Sequence, residues 1–196
     1  MEPQTVAELA EILTESPNRH LLEIEIGCGN GHFITHYAHT VKSLLVGIDV
    51  KKRRCLKALG KVNRQALDNV HIACGRAEEL LSRLPCGSVA RFHIYFPDPW
   101  PKTKHRRRRF FRKPNMEQML RCLEPGGLVH FASDVFDYYV QAKIVCILQA
   151  QMRVVSDAVP EAALTSLFSK RIQQAGRAIH GLTAVKYSTH QIAQHQ

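Results

Sequence analysis

The 196 residues carry 27 Lys+Arg against 17 Asp+Glu, a formal charge of +10 with histidines neutral, and 45% of them are hydrophobic. That composition excludes a disordered, collagen-like or coiled-coil chain and fits one globular domain over residues 1–196. No apolar run nears the roughly 20 residues of a membrane span, Met1–Ser16 holds four acids and no basic leader region, and six scattered cysteines suit free thiols in a reducing cytoplasm.

Along the chain, apolar runs of strand length alternate with segments of helical period, the pattern of βαβ units around a parallel sheet. The predicted strands are Leu22–Ile26, Ser43–Ile48, Val70–Ala73, Ala90–Phe96 and Leu128–Ser133. The predicted helices are Gly31–His39, Lys52–Ala66, Ala77–Leu84, Asn115–Leu123 and Val135–Ala150. Glu124-Pro125-Gly126-Gly127 reads as a helix stop and turn. Beyond Gln151, Arg153–Val159 and Gly181–Tyr187 read as strands joined by a long polar loop, a hairpin closing the sheet edge. The expected architecture is α/β and Rossmann-like: a mostly parallel sheet, an antiparallel edge hairpin and helices on both faces.

The first strand runs into Gly27-Cys28-Gly29-Asn30-Gly31 and then a helix. Such a loop lets backbone approach a ligand, and the following helix presents free N–H groups to it. Asp49 closes the next strand eighteen residues past Gly31, where an acid can take the two hydroxyls of a ribose. The third glycine comes one residue earlier than in a dinucleotide fingerprint. Glu25 adds a carboxylate that suits a cationic sulfonium–amino acid better than a pyrophosphate. These features favour S-adenosylmethionine over NAD.

Arg91-Phe92-His93-Ile94-Tyr95-Phe96-Pro97-Asp98-Pro99-Trp100-Pro101-Lys102 is the most specific segment. Three prolines restrict the backbone around Asp98 and Trp100, giving a stiff loop at the carboxyl end of a central strand, where open α/β sheets bind ligands. Eight Lys/Arg and no acid follow between Lys102 and Lys113. Clustered cations of this kind seek a polyanion, whose counterions they release.

Glu25–Gly31, Tyr95–Lys102 with its basic run, and Pro125–Asp134 together resemble the bacterial tRNA (guanine-N7-)-methyltransferase family, the TrmB type, over about Leu21 to His180. The resemblance implies a class I methyltransferase fold, S-adenosylmethionine as donor, and N7 of the variable-loop guanine at position 46 of tRNA as acceptor. It implies that Glu25, Gly27, Gly29 and Asp49 hold the cofactor and that Asp98 is catalytic and touches it as well. Lys102, Asp134 and Thr165 would contact the nucleotide substrate, and Arg106, Arg107, Arg108 and Arg109 would contact RNA phosphates. Two positions depart from the family. Arg76 stands where the family has an acid or amide near the adenine, so either another group reads adenine or Glu78 compensates, and Leu167-Phe168 replace an aromatic–Glu pair after Thr165-Ser166.

Guanine N7 has a lone pair and no proton to lose, so its methylation needs no general base, only positioning, exclusion of water and a carboxylate to stabilise the cationic product. Asp98 and Asp134 would share that work by accepting from guanine N1–H or the N2 amino group. His32, His36 and His39 fall on one helix face, without the further ligands a metal site requires, and Cys28 reads as a packing residue. No obligate protein partner is expected, and the chain would be a monomer or homodimer. Other readings are a methyltransferase acting on another nucleic acid or a small molecule, and a non-catalytic RNA-binding relative.

Overall fold

The computed structural model describes residues 2–15 and 21–187. Its strands are β1 (Gln4–Thr5), β2 (Leu22–Ile26), β3 (Leu44–Asp49), β4 (Val70–Cys74), β5 (Val89–Tyr95), β6 (Leu123–Ser133), β7 (Met152–Ser156) and β8 (His180–Lys186). The helices are α1 (Val6–Glu15), α2 (His32–Tyr37), α3 (Lys52–Arg64), α4 (Ala77–Arg83), α5 (Lys113–Cys122), α6 (Phe136–Ile147), α7 (Glu161–Leu164) and α8 (Leu167–Gln174), with a 3-10 helix at Thr103–Arg108. None of these helices is long and apolar enough to cross a membrane.

One sheet runs in the order β1-β4-β3-β2-β5-β6-β8-β7, parallel from β1 to β6, with β8 antiparallel to both of its neighbours. Alternate strand residues face opposite ways. Ile24, Ile48, Phe92 and Phe131 join residues of α1, α4, α5 and α6 in one apolar cluster. Leu45, Ile72, Tyr95 and Ala132 join α2, α3 and α7 in the other. The five expected parallel strands and the helices between them are all present, within a few residues at their ends.

Three features differ from the sequence reading. The Pro-Gly-Gly segment does end α5, but β6 already begins at Leu123. Val89 pairs with Leu123 and Arg91 with Leu128, so Glu124–Gly127 bulge out between the two pairs. The expected polar loop between the last two strands holds α7 and α8 instead. Ser166 caps α8 by accepting from the Ser169 N–H at 3.1 Å, and Ile172 buries the apolar face. Ahead of the first expected strand, α1 packs Leu9 and Leu13 into the core while β1 pairs with the outer edge of β4. Those elements extend the sheet by one short strand.

Candidate active site

The chain leaves β2, builds β3 and β4 to one side, then crosses to lay β5 on the other flank of β2. Open α/β sheets bind ligands at the carboxyl ends of the strands where the order reverses in this way. A cleft of ≈ 640 Å³ opens there, lined by Gly27, Asp49, Arg76, Asp98, Trp100 and Arg107 among others.

The glycine loop forms its floor. Gly27 has φ +80° and faces open space, while Gly31 has φ +71° and packs so tightly that a Cβ would lie 2.8 Å from that of Ala58. Side chains are thus excluded at one position by conformation and at the other also by contact. Asp49 braces the loop: its Oδ2 accepts from the Gly29 N–H at 3.1 Å and its Oδ1 from the Lys51 N–H at 2.8 Å. Arg54 stands 3.6 Å away. Each carboxylate oxygen keeps a second lone pair for a ligand.

Glu25 is buried, yet its Oε2 has no hydrogen-bond partner. Burial first, and then the Asp49 charge, push its carboxyl up to about 8. An orphaned buried acid of this kind invites a cationic partner. Cys28 is buried in the same loop, and burial raises its thiol well above the usual range. It packs and stays protonated.

Opposite, the proline-rich loop carries two strained aromatics, Phe96 at φ +50° and Trp100 at φ +42°. Such left-handed conformations cost on the order of 1–3 kcal/mol each and persist only where the surroundings impose them. Pairing of the Phe96 N–H with Ala132 O at 2.7 Å holds one end, and the Arg108 guanidinium 4.9 Å above the Trp100 ring covers the other. Between them Asp98 is exposed on the cleft wall and makes no hydrogen bond or ion pair among the described residues.

The remaining predicted site residues are distributed unevenly. Arg76 lines the cleft, with its side chain 72% exposed and 3.5 Å from Glu78. Lys102, at the end of the motif loop, is exposed and is not among the residues that line the cleft. Asp134 is largely buried and bound by Arg177, which ties the end of β6 to the segment before β8. The Thr165 hydroxyl donates to Ala162 O at 2.8 Å, closing α7. The following Phe168 meets Phe96 edge-on at 5.2 Å, so this segment does reach the motif loop.

The basic run divides in two. Arg107 and Arg108 line the cleft, whereas Arg106 pairs with Asp137 at 3.2 Å. Arg109 is not available to phosphate. It is 1% exposed and donates to Pro99 O, Gln141 Oε1 and Asp137 Oδ2 at 2.8, 2.8 and 2.7 Å, with its guanidinium over the Tyr138 ring. It anchors the motif loop to α6.

Sequence reasoning missed a polar network beneath the cleft. Buried Glu23 accepts from Ser43 Oγ at 2.7 Å, His93 Nε2 at 2.7 Å, Tyr37 OH at 3.2 Å and Arg91 at 3.3 Å. His93 Nδ1 lies 2.9 Å from Tyr95 OH. Burial opposes the Glu23 charge, but the hydrogen bonds from His93 and Ser43 and the cationic neighbours prevail and bring it down to about 2. A charged residue inside an otherwise apolar strand, followed by another two places later, was the available signal.

A family described as "Putative methyltransferase" matches residues 19–181. The chain is 34% identical over 147 residues to a tRNA (guanine-N(7)-)-methyltransferase of Rhizobium meliloti, an alignment covering 74% of this chain and 62% of that protein. It is 30% identical over 163 residues to one of Ruegeria sp., covering 72% and 64%. The chain therefore spans somewhat under two thirds of the length of these relatives. A 30S ribosomal A1408 methyltransferase from an uncultured bacterium shares the fold at a TM-score of 0.63 and 15% identity, covering 95% of this chain and 96% of its own. An rRNA methylase of Streptococcus thermophilus does so at 0.59 and 14%, covering 96% and 99%.

Proposed function

The chain belongs to the tRNA (guanine-N7-)-methyltransferase family, of the class I S-adenosylmethionine-dependent type, and we propose that it methylates N7 of guanine 46 in the variable loop of tRNA as one catalytic domain. The observation that carries the reading is a pair of acids on one cleft, Asp49 at the end of β3 and an exposed Asp98 that makes no hydrogen bond or ion pair among the described residues, with the orphaned oxygen of Glu25 buried two residues before the lining Gly27.

S-adenosylmethionine, when bound, supplies a methyl group activated as a sulfonium. The donor set fits it. Glu25 offers a desolvated carboxylate to the amino group, Asp49 keeps lone pairs for ribose hydroxyls, and Gly27 and Gly29 leave backbone bare beside them. Arg76 and Glu78 border the place for adenine, where an exposed guanidinium can stack on a planar base.

On the acceptor side no residue has a proton to remove. Asp98 accepts from the guanine edge, which orients N7 and rejects adenine, and its charge stabilises the purinium that forms. Asp134 assists, exchanging Arg177 for the base, while Lys102 and Thr165 steady the nucleotide and Trp100 walls off water. Arg106, Arg107 and Arg108 hold the flanking phosphates.

Incubation with unmodified tRNA and labelled donor, followed by nucleoside analysis, should yield 7-methylguanosine, and nuclease mapping should put it at position 46. Asp98→Ala should lower turnover by roughly a hundred-fold or more, as loss of a group matched to developing charge does. Near-normal turnover in that variant with unchanged donor affinity would remove Asp98 from the mechanism.

A further inference from the structure

A second, basic groove lies beside Asn30 of the glycine loop. It has a volume of ≈ 570 Å³ and runs between Asn30, His32 at the start of α2, and α3, which contributes Arg53, Lys57, Lys61 and Arg64. The helix itself contains no acid. Nearer the cleft, Arg54 is neutralised by Asp49 and Lys52 by Glu2. Among the described residues the four groove cations have no carboxylate partner. Lys61 instead donates to His32 Nδ1 at 2.9 Å. Burial and then the charges of Arg64 and Lys57 lower the Lys61 ammonium, and burial, Lys61 and Arg171 lower His32. Like charges crowd one another here, with no acid among the described residues to offset them.

Gly60 is the second, independent sign. It sits in the middle of α3 and lines the same groove, where glycine weakens a helix relative to alanine. Packing does not demand it: an added Cβ would meet only the mobile end of Arg64, at 3.4 Å. Gly31, by contrast, is forced by Ala58. The missing side chain at Gly60 leaves a bare backbone strip between Lys57, Lys61 and Arg64.

We infer that this groove seats a phosphodiester stretch of the RNA substrate, apart from the nucleotide being methylated. The inference rests on the tRNA reading above and extends it. Lys51 and Arg54 at the start of α3 belong to the cleft and Arg64 at its end to the groove, so one helix of about 20 Å joins the reacting base to a remote backbone contact. Such a contact fixes register without reading sequence.

The test is salt-titrated binding of full-length unmodified tRNA to the intact protein and to the triple variant Lys57→Gln, Lys61→Gln, Arg64→Gln. The variant should lose about three from the slope of log affinity against log salt, and roughly ten-fold or more in affinity near physiological salt. Donor affinity by calorimetry should stay at the wild-type value. Gly60→Glu should move two properties in opposite directions: a higher melting temperature from its (i, i+4) pairing with Arg64, and weaker tRNA binding. Wild-type slope and affinity in the triple variant would overturn the groove while leaving the methyltransferase reading intact. Failure of the wild-type protein itself to bind tRNA would overturn both.

Discussion

Glu23 and Glu25 lie two residues apart on β2, on the same face of the sheet, and both are buried. Their surroundings are opposite. Glu23 takes hydrogen bonds from Ser43, His93, Tyr37 and Arg91 and stays ionised far below neutrality. Glu25 keeps an orphaned oxygen and a carboxyl shifted up to about 8. A buried charge whose partners are all protein groups belongs to the fold, and one left short belongs to a ligand. Burial alone does not separate the two.

The contrast breaks most visibly at Glu23. Glu23→Ala leaves Arg91 and His93 facing an empty anion site, and loss of one partner of a buried charged network costs about 3–5 kcal/mol. At roughly 2–4 °C per kcal/mol for a chain of this size, thermal melting should fall by about ten degrees. A loss of only a degree or two would mean that the network relaxes around the vacancy, and that Glu23 is no more structural than its neighbour.

Arg109 supplies the same comparison with the sign of charge reversed. Its three donated hydrogen bonds satisfy it inside the protein, whereas Arg107, two residues earlier, is exposed on the cleft wall. Arg109→Ala should cost about 2–3 kcal/mol, in the range of hydrogen bonds to charged groups, and should loosen the Asp98 loop through Pro99. Arg107→Ala should leave melting unchanged and weaken tRNA binding alone. Melting curves and tRNA titrations of the two variants distinguish them, and equal melting temperatures would erase the distinction.

These pairs also mark how far the sequence could be read. Period and punctuation sufficed for the five parallel strands β2 to β6 and for the loops around Gly27 and Asp98, because alternating β and α patterns and proline-bounded turns are local signals; the two-residue β1 was too short to carry one. Membership of the cleft was legible for Asp49, which ends β3, and for Asp98, which follows β5. What charge density concealed was the inward turn of Arg109, decided by Tyr138, Gln141 and Asp137 some thirty residues on. Asp134 likewise reads as a free acid until Arg177 is placed on it. The α7–α8 pair escaped because its capping serine and sparse apolar positions carry little periodic signal.

The Glu25 side of the comparison predicts the smaller effects. Glu25→Gln removes a charge–ammonium contact and should weaken S-adenosylmethionine binding about ten- to hundred-fold, or about 1.4–2.8 kcal/mol, without lowering the melting temperature of the ligand-free protein. Its pH dependence is the finer check. A carboxyl that rises from 4.5 to about 8 on folding contributes stability that is whole below its unfolded value and disappears as pH climbs through 8, because the native state must then hold an unpaired charge. Glu23 runs the other way: brought down to about 2, it stabilises above its unfolded value and fails only as pH falls toward 2. Melting of Glu25→Gln should therefore match wild type near pH 5 and exceed it by a few degrees near pH 9. Saturating donor should abolish that excess, since a bound cation gives the ionised wild-type carboxylate the partner that the amide cannot use as well. Parallel melting curves for the two proteins across this range would mean that the Glu25 charge is already offset within the protein, and would leave the two acids of β2 alike.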